Sequence, residues 1–168
     1  MSESLWDQVG ICFDTDDGSL LGIEVSKLSP DEVAAIYAML RSRSRVEGDP
    51  PEFWSNVKEA SLPVDSVPNA AALVASGQAE AFRMLVAGIV ANGVPLPPVG
   101  VFVWPDTIEL DYRMGSDWGP DQVAGFFELL RDCCRLASGA VVVPAECEGP
   151  PYPDRFLWAW SSYAGGTA

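Results

Sequence analysis

Apolar and polar residues alternate most regularly between Pro98 and Ala137. In this stretch Ile108, Leu110, Tyr112 and Met114 fall on one side of an extended chain, and Glu109, Asp111 and Arg113 fall on the other. The preceding run, Val99 to Val103, joins it through a turn at Pro105-Asp106, between Trp104 and Thr107. The period then changes. Val123, Phe126, Phe127, Leu130, Cys134 and Ala137 recur at helical spacing, with Pro120 in the first turn and Ser138-Gly139 as the stop. The pattern predicts a β-hairpin sharing one core with a long amphipathic helix.

Other stretches carry shorter signals. Gln8 to Phe13 and Leu20 to Ser26 flank DTDDGS, residues 14–19, and read as a hairpin with Val9, Ile11 and Phe13 on one face of its first strand. Ser29, Pro30 and Glu32 are an N-cap, a first-turn proline and a capping-box acid. The helix they open runs through Val33, Ile36, Tyr37 and Leu40 to Arg41, Arg43 and Arg45, which complement its negative end. These arginines are also the basic cluster of the chain and a candidate phosphate contact. Residues 46–67 show no single period. From Pro68 onward the spacing predicts helix as far as Asn92-Gly93, broken at Gly77, with Phe82, Leu85, Val86 and Ile89 inward. Residues 94–100 are extended, 140–143 form a strand and 144–154 a proline-rich loop. Phe156 to Tyr163 alternates as a last strand, with Trp158 and Trp160 on one face. The sum is a single α+β domain over residues 1–168, fraying from about Gly165. Its core is a mainly antiparallel sheet of about six strands in hairpins, with about three helices packed on one face.

Composition narrows the function. The 168 residues suffice to bury roughly 70% of the unfolded surface. Asp and Glu number 24 against 10 Lys and Arg, for a net charge of −14. A free nucleic-acid binder needs a basic footprint, and an anionic membrane repels such a chain. The complementary partner is basic, since opposite fields speed encounter. The N-terminal residues lack the basic and apolar regions of a signal peptide, and no apolar run spans a bilayer, so the expected compartment is the cytoplasm. Cys12, Cys133, Cys134 and Cys147 form no CxxC or zinc spacing, which fits reduced thiols.

The chemistry is sparse. With no histidine, Ser–His and Cys–His nucleophilic systems are excluded. The phosphate and dinucleotide glycine motifs are missing as well. DTDDGS places its glycine fifth, where a calcium loop of the EF-hand type needs it sixth, and Val25 falls where the bidentate acid belongs. Glu109 and Asp111 share a strand face, but a two-carboxylate glycosidase uses a larger, cleft-bearing scaffold. Glu146 and Glu148 beside Cys147 oppose a reactive thiolate. The expectation is a non-enzyme that uses no metal and no cofactor.

At DYRMG and Trp118, followed by the amphipathic helix, the chain resembles bacterial immunity proteins of polymorphic toxin systems, the cytoplasmic antidotes to effectors of type VI or contact-dependent secretion. The resemblance covers about residues 99–137 and lies in size, acidity, α+β pattern and tryptophan-rich strands. It implies an acidic face that docks over the basic active-site cleft of a cognate toxin, with Asp14, Asp16, Asp17, Glu109, Asp111, Arg113 and Trp118 as contact candidates. Two other readings share the acidity: a nucleic-acid mimic that blocks a DNA-binding enzyme, for which the acids are scattered rather than regularly spaced, and an adaptor domain without catalysis.

Overall fold

A computed structural model describes residues 3–166. Residues 1–2 and 167–168, the latter the last two of the tail expected to fray, lie outside the described residues. The chain order is α1 (Leu5–Val9), β1 (Leu20–Ser26), α2 (Pro30–Ser42), β2 (Arg45–Val46), β3 (Glu52–Ser55), β4 (Ala60–Pro63), α3 (Ala70–Ala75) and β5 (Phe82–Ala87). It continues with β6 (Val90–Ala91), β7 (Val94–Pro95), β8 (Val99–Val103), β9 (Ile108–Arg113), α4 (Pro120–Arg135), β10 (Val141–Pro144) and α5 (Pro153–Gly165).

Six strands form one sheet in the order β10-β1-β9-β8-β5-β2, and every pairing in it is antiparallel. The hairpin of β8 and β9 forms as its alternation requires. Ile108, Leu110, Tyr112 and Met114 are buried, together with Val99, Val101 and Val103. The helices cover this face. Tyr112 lies 5.6 Å from Phe126 of α4, ring centre to ring centre, and Phe82 of β5 lies 5.9 Å from Tyr37 of α2. Burying such aromatic and aliphatic side chains contributes about 1.5–3 kcal/mol each and is the main source of stability. The fold is α+β, a mainly antiparallel sheet backed by helices.

The local signals at α2 hold. The Ser29 hydroxyl accepts from the Glu32 amide at 3.2 Å, and the Glu32 carboxylate accepts from the Ser29 amide at 3.0 Å. The terminal arginines are spent on acids: Arg41 on Asp65, Arg43 on Asp132 and Arg45 on Glu47. They are therefore not arranged as a phosphate site.

Four stretches differ from expectation. Residues 5–9 are helical and run into a 3-10 turn at Gly10–Cys12, so β1 has no hairpin partner before it. Ser4 and Asp7 form a capping box there, and Ile11, placed inward by the strand reading, is exposed. Residues 82–87 form a strand with Phe82, Met84 and Val86 buried: Gly77 and Gly88 at positive φ (79° and 82°) bound the run, and its pairing with β8 selects the extended form. Asn92 and Gly93, read as a helix stop, both take left-handed φ (51° and 76°) in the tight turn between β6 and β7. Residues 156–163 lie within α5, where Phe156, Ala159 and Trp160 face inward at helical spacing and Trp158 is exposed on the opposite side. The described residues thus carry five helices rather than about three. The undecided segment 46–67 supplies part of β2 and the β3–β4 hairpin.

Candidate functional site, the open face of the sheet

Antiparallel register places side chains of one face in rows. On the face away from the helices, one row runs Arg83, Phe102, Glu109, Glu24 and Val143 across β5, β8, β9, β1 and β10. The next row runs Leu85, Gly100, Asp111 and Gly22. Arg113 and Leu20 form a third. The row positions follow from the period of two, since each of these residues alternates with a core residue.

Glycines give this face its relief. A Cβ on Gly100 would collide with both Asp111 carboxylate oxygens and with the Arg83 guanidinium, and a Cβ on Gly22 would collide with the Glu109 carboxylate. The two acids therefore lie flat on bare backbone. Asp111 receives two hydrogen bonds from Arg83, from Nε and Nη2, each 2.7 Å. A bidentate pair of this kind is geometrically specific. Glu109 has no such match. It stands across from Glu24 in register. Burial pushes its carboxyl above the usual range, the Trp104 indole donor pulls it down, and Glu24, Asp111 and Glu148 raise it again.

An aromatic platform adjoins the acids. Phe102 and Trp104 stack nearly parallel, with ring centres 4.4 Å apart and planes 4° from coincidence, and Trp104 is 39% exposed. Two shallow depressions flank Leu20 and Met114. One, of about 440 Å³, is lined by Asp16, Leu85, Gly100, Asp111 and Arg113. The other, of about 590 Å³, is lined by Asp17, Ser19, Cys147 and Glu148.

Of the candidate contacts, Asp16 and Arg113 meet at the edge of this face through two hydrogen bonds of 3.1 Å, and the arginine holds the Asp16 carboxyl below its ordinary range. Asp17 borders the second depression and is lowered by the Ser19 amide. Glu109 lies at the centre. Asp14 is exposed beside the Thr15 hydroxyl, and no contact ties it to the sheet. Two candidates are not surface contacts. Asp111 is buried under Arg83, and Trp118 is 4% exposed, packed on Phe13, Tyr112 and Phe126 with its indole donating to the Arg113 carbonyl at 2.8 Å. They shape the face from beneath. Sequence reasoning missed Glu24, Phe102, Trp104 and Glu148. The first three were available as the outward half of alternating strands; Glu148 reaches the face only through the loop that returns to Gly22, whose amide donates to the Glu148 carbonyl at 2.7 Å.

No group of three or more Cys, Asp or Glu side chains with metal-holding geometry occurs among the described residues. None of their helices is long and apolar enough to cross a membrane. Fold and site together define a helix-backed antiparallel sheet with one acidic, aromatic face left open. No family model matches the chain, and neither does any curated protein or solved structure.

Proposed function

We propose that this chain is an immunity-type antidote, a non-enzymatic protein that binds a basic secreted toxin through the open sheet face and covers the toxin's active site. The observation that supports this is the pairing of two opposed acids, Glu24 and Glu109, which make no ion pair among the described residues, with an exposed aromatic platform on a helix-backed sheet. Charges of one sign steer a basic partner, and a few aromatic anchors slow its release. The chemistry requires no cofactor, and the antidote would act in the bacterial cytoplasm, before the toxin reaches its target. The same properties count against direct contact with nucleic acid or an anionic membrane.

The test is capture of the partner from the native host at low salt, followed by its expression alone and together with this chain. A basic protein that arrests growth alone, and not when co-expressed, is the expected result. Charge reversal at Asp17, Glu24 and Glu109 is expected to weaken binding at least tenfold and to flatten its salt dependence. A partner whose activity is undiminished in the complex makes the chain an adaptor and overturns the antidote reading. Unchanged affinity in the charge-reversed variant removes this face as the docking surface.

A further inference from the structure

We propose that the open face receives one arginine side chain of its partner at a defined place, with the guanidinium stacked on the Trp104 ring and its N–H groups donating to Glu109 and Glu24. The inference rests on the docking reading above and names the chemistry at its centre.

The face displays the required geometry once already. Arg83 reaches across Gly100 to pair with Asp111 through two 2.7 Å hydrogen bonds, over backbone that a side chain would block. Glu109 repeats half of that arrangement over Gly22, but the charges around it are mostly acids, and Arg83, whose hydrogen bonds go to Asp111, acts on it only at a distance. Glu24 lies directly opposite on β1, and Asp111 and Glu148 add further repulsion. Among the described residues neither Glu24 nor Glu109 has an ion-pair partner; the ion pairs of the chain are made elsewhere. Like charges opposed across two strands destabilise the sheet, and a cation arriving from outside relieves that repulsion.

The platform selects which cation. Phe102 and Trp104 lie parallel at 4.4 Å, so one flat indole face is supported from behind. Tryptophan gives the strongest cation–π attraction among the side chains. Phe102 stands opposite Glu109 in register, and Trp104 stacks on Phe102, which brings ring and carboxylate to the same part of the face. A planar guanidinium can stack on such a ring and donate sideways to carboxylates at the same time; a lysine ammonium is a compact charge that cannot do both.

The experiment uses the full chain labelled with 15N. Its six tryptophans give separate indole N–H signals, and Trp104 is assigned with Trp104→Leu. The probes are acetyl-Gly-Arg-Gly-amide and acetyl-Gly-Lys-Gly-amide at low salt. The expected result is a saturable shift confined to the Trp104 signal, at least fivefold tighter for the arginine peptide, and at least fivefold weaker in Glu109→Gln. Glu109→Gln keeps the shape of the side chain, so a folded variant that loses the response supports the site. Equal response to both peptides, equal shifts at the exposed Trp54 and Trp158, or an unaltered Glu109→Gln titration overturns it. The two proposals fail separately. If charge reversal weakens the partner while the peptides leave Trp104 unmoved, the docking face stands and the arginine site falls. If the arginine peptide binds at Trp104 while the partner ignores charge reversal, the arginine site stands and the docking reading falls.

Discussion

Glu24 and Glu109 face each other across the pair of β1 and β9, on the open side of the sheet. The arrangement opposes folding at neutral pH. Burial, Glu24 and Glu148 raise the Glu109 pKa in the folded chain, so folding takes up a proton there as pH falls. The stability penalty is therefore fully present above the folded pKa and disappears as pH drops towards the ordinary carboxylate value. Glu109→Gln is expected to stabilise the protein by about 0.5 kcal/mol at pH 7, the scale of one like-charge cross-strand pair in a partly solvated site. That gain should shrink as pH falls into the ordinary carboxylate range. Urea denaturation at neutral and at acidic pH measures it. Asp16 and Asp17 act with the opposite sign. Their pKa values are lowered by Arg113 and by the Ser19 amide, so the stability they contribute is present above the ordinary Asp range and is lost on further acidification. The pH of greatest stability should therefore lie in the mildly acidic range.

Arg83→Met would leave the Asp111 carboxylate in its pocket without its cation. The side chain of Asp111 is only 8% exposed, so a loss of about 3 kcal/mol is expected. Asp111→Leu alone should cost less, about 1–2 kcal/mol, because the Arg83 side chain is 33% exposed and can turn to water. Combining the two should restore part of the stability, and a double-mutant cycle by thermal or urea denaturation reads the coupling. Additive losses would show that the two side chains act independently.

The four cysteines should separate by access. Cys147 is exposed, Cys134 is half-buried, and Cys12 and Cys133 are buried. Burial pushes the Cys12 thiol up to about 11 and raises that of Cys133 as well. A disulfide-exchange reagent at neutral pH is expected to titrate Cys147 in its fast phase, and all four thiols only in denaturant. Cys147→Ser should remove the fast phase. Fast reaction of Cys12 or Cys133 in that variant would reveal an opening of the core beside α1 or α4.

Local signals in the sequence were reliable where one residue decides the outcome. Ser29, Pro30 and Glu32 start α2 whatever the rest of the chain does, and the strict alternation from Ile108 to Met114 permits only a strand. Where apolar residues crowd, both periods fit. Phe82, Leu85, Val86 and Ile89 satisfy a helix, yet Phe82, Met84 and Val86 satisfy the strand that forms, and pairing with β8 decides between them. In α5 the alternation of Trp158 and Trp160 hides the stripe of Phe156, Ala159, Trp160 and Tyr163, three of which pack around Phe127. For the site, Glu109, Asp111 and Arg113 were legible as one face. Whether each is open or covered was not, because the cover over Asp111 is an arginine from 28 residues earlier in the chain. Glu24 joins Glu109 only through a strand pairing that is distant in sequence, and no local spacing encodes it.

The Tyr112 hydroxyl donates to the Cys12 carbonyl at 2.7 Å, and Phe13 stacks on the same ring at 4.5 Å. The two ends of that hydrogen bond are 100 residues apart. During synthesis the first-made segment therefore has no lining until β9 has left the ribosome, and β1 cannot enter the middle of the sheet before then. The acidic face is assembled in the same late step, since Glu24 arrives on β1 and Glu109 on β9. A chain interrupted before Tyr112 carries most of the acids and none of the surface: the face comes into being only with the completed sheet.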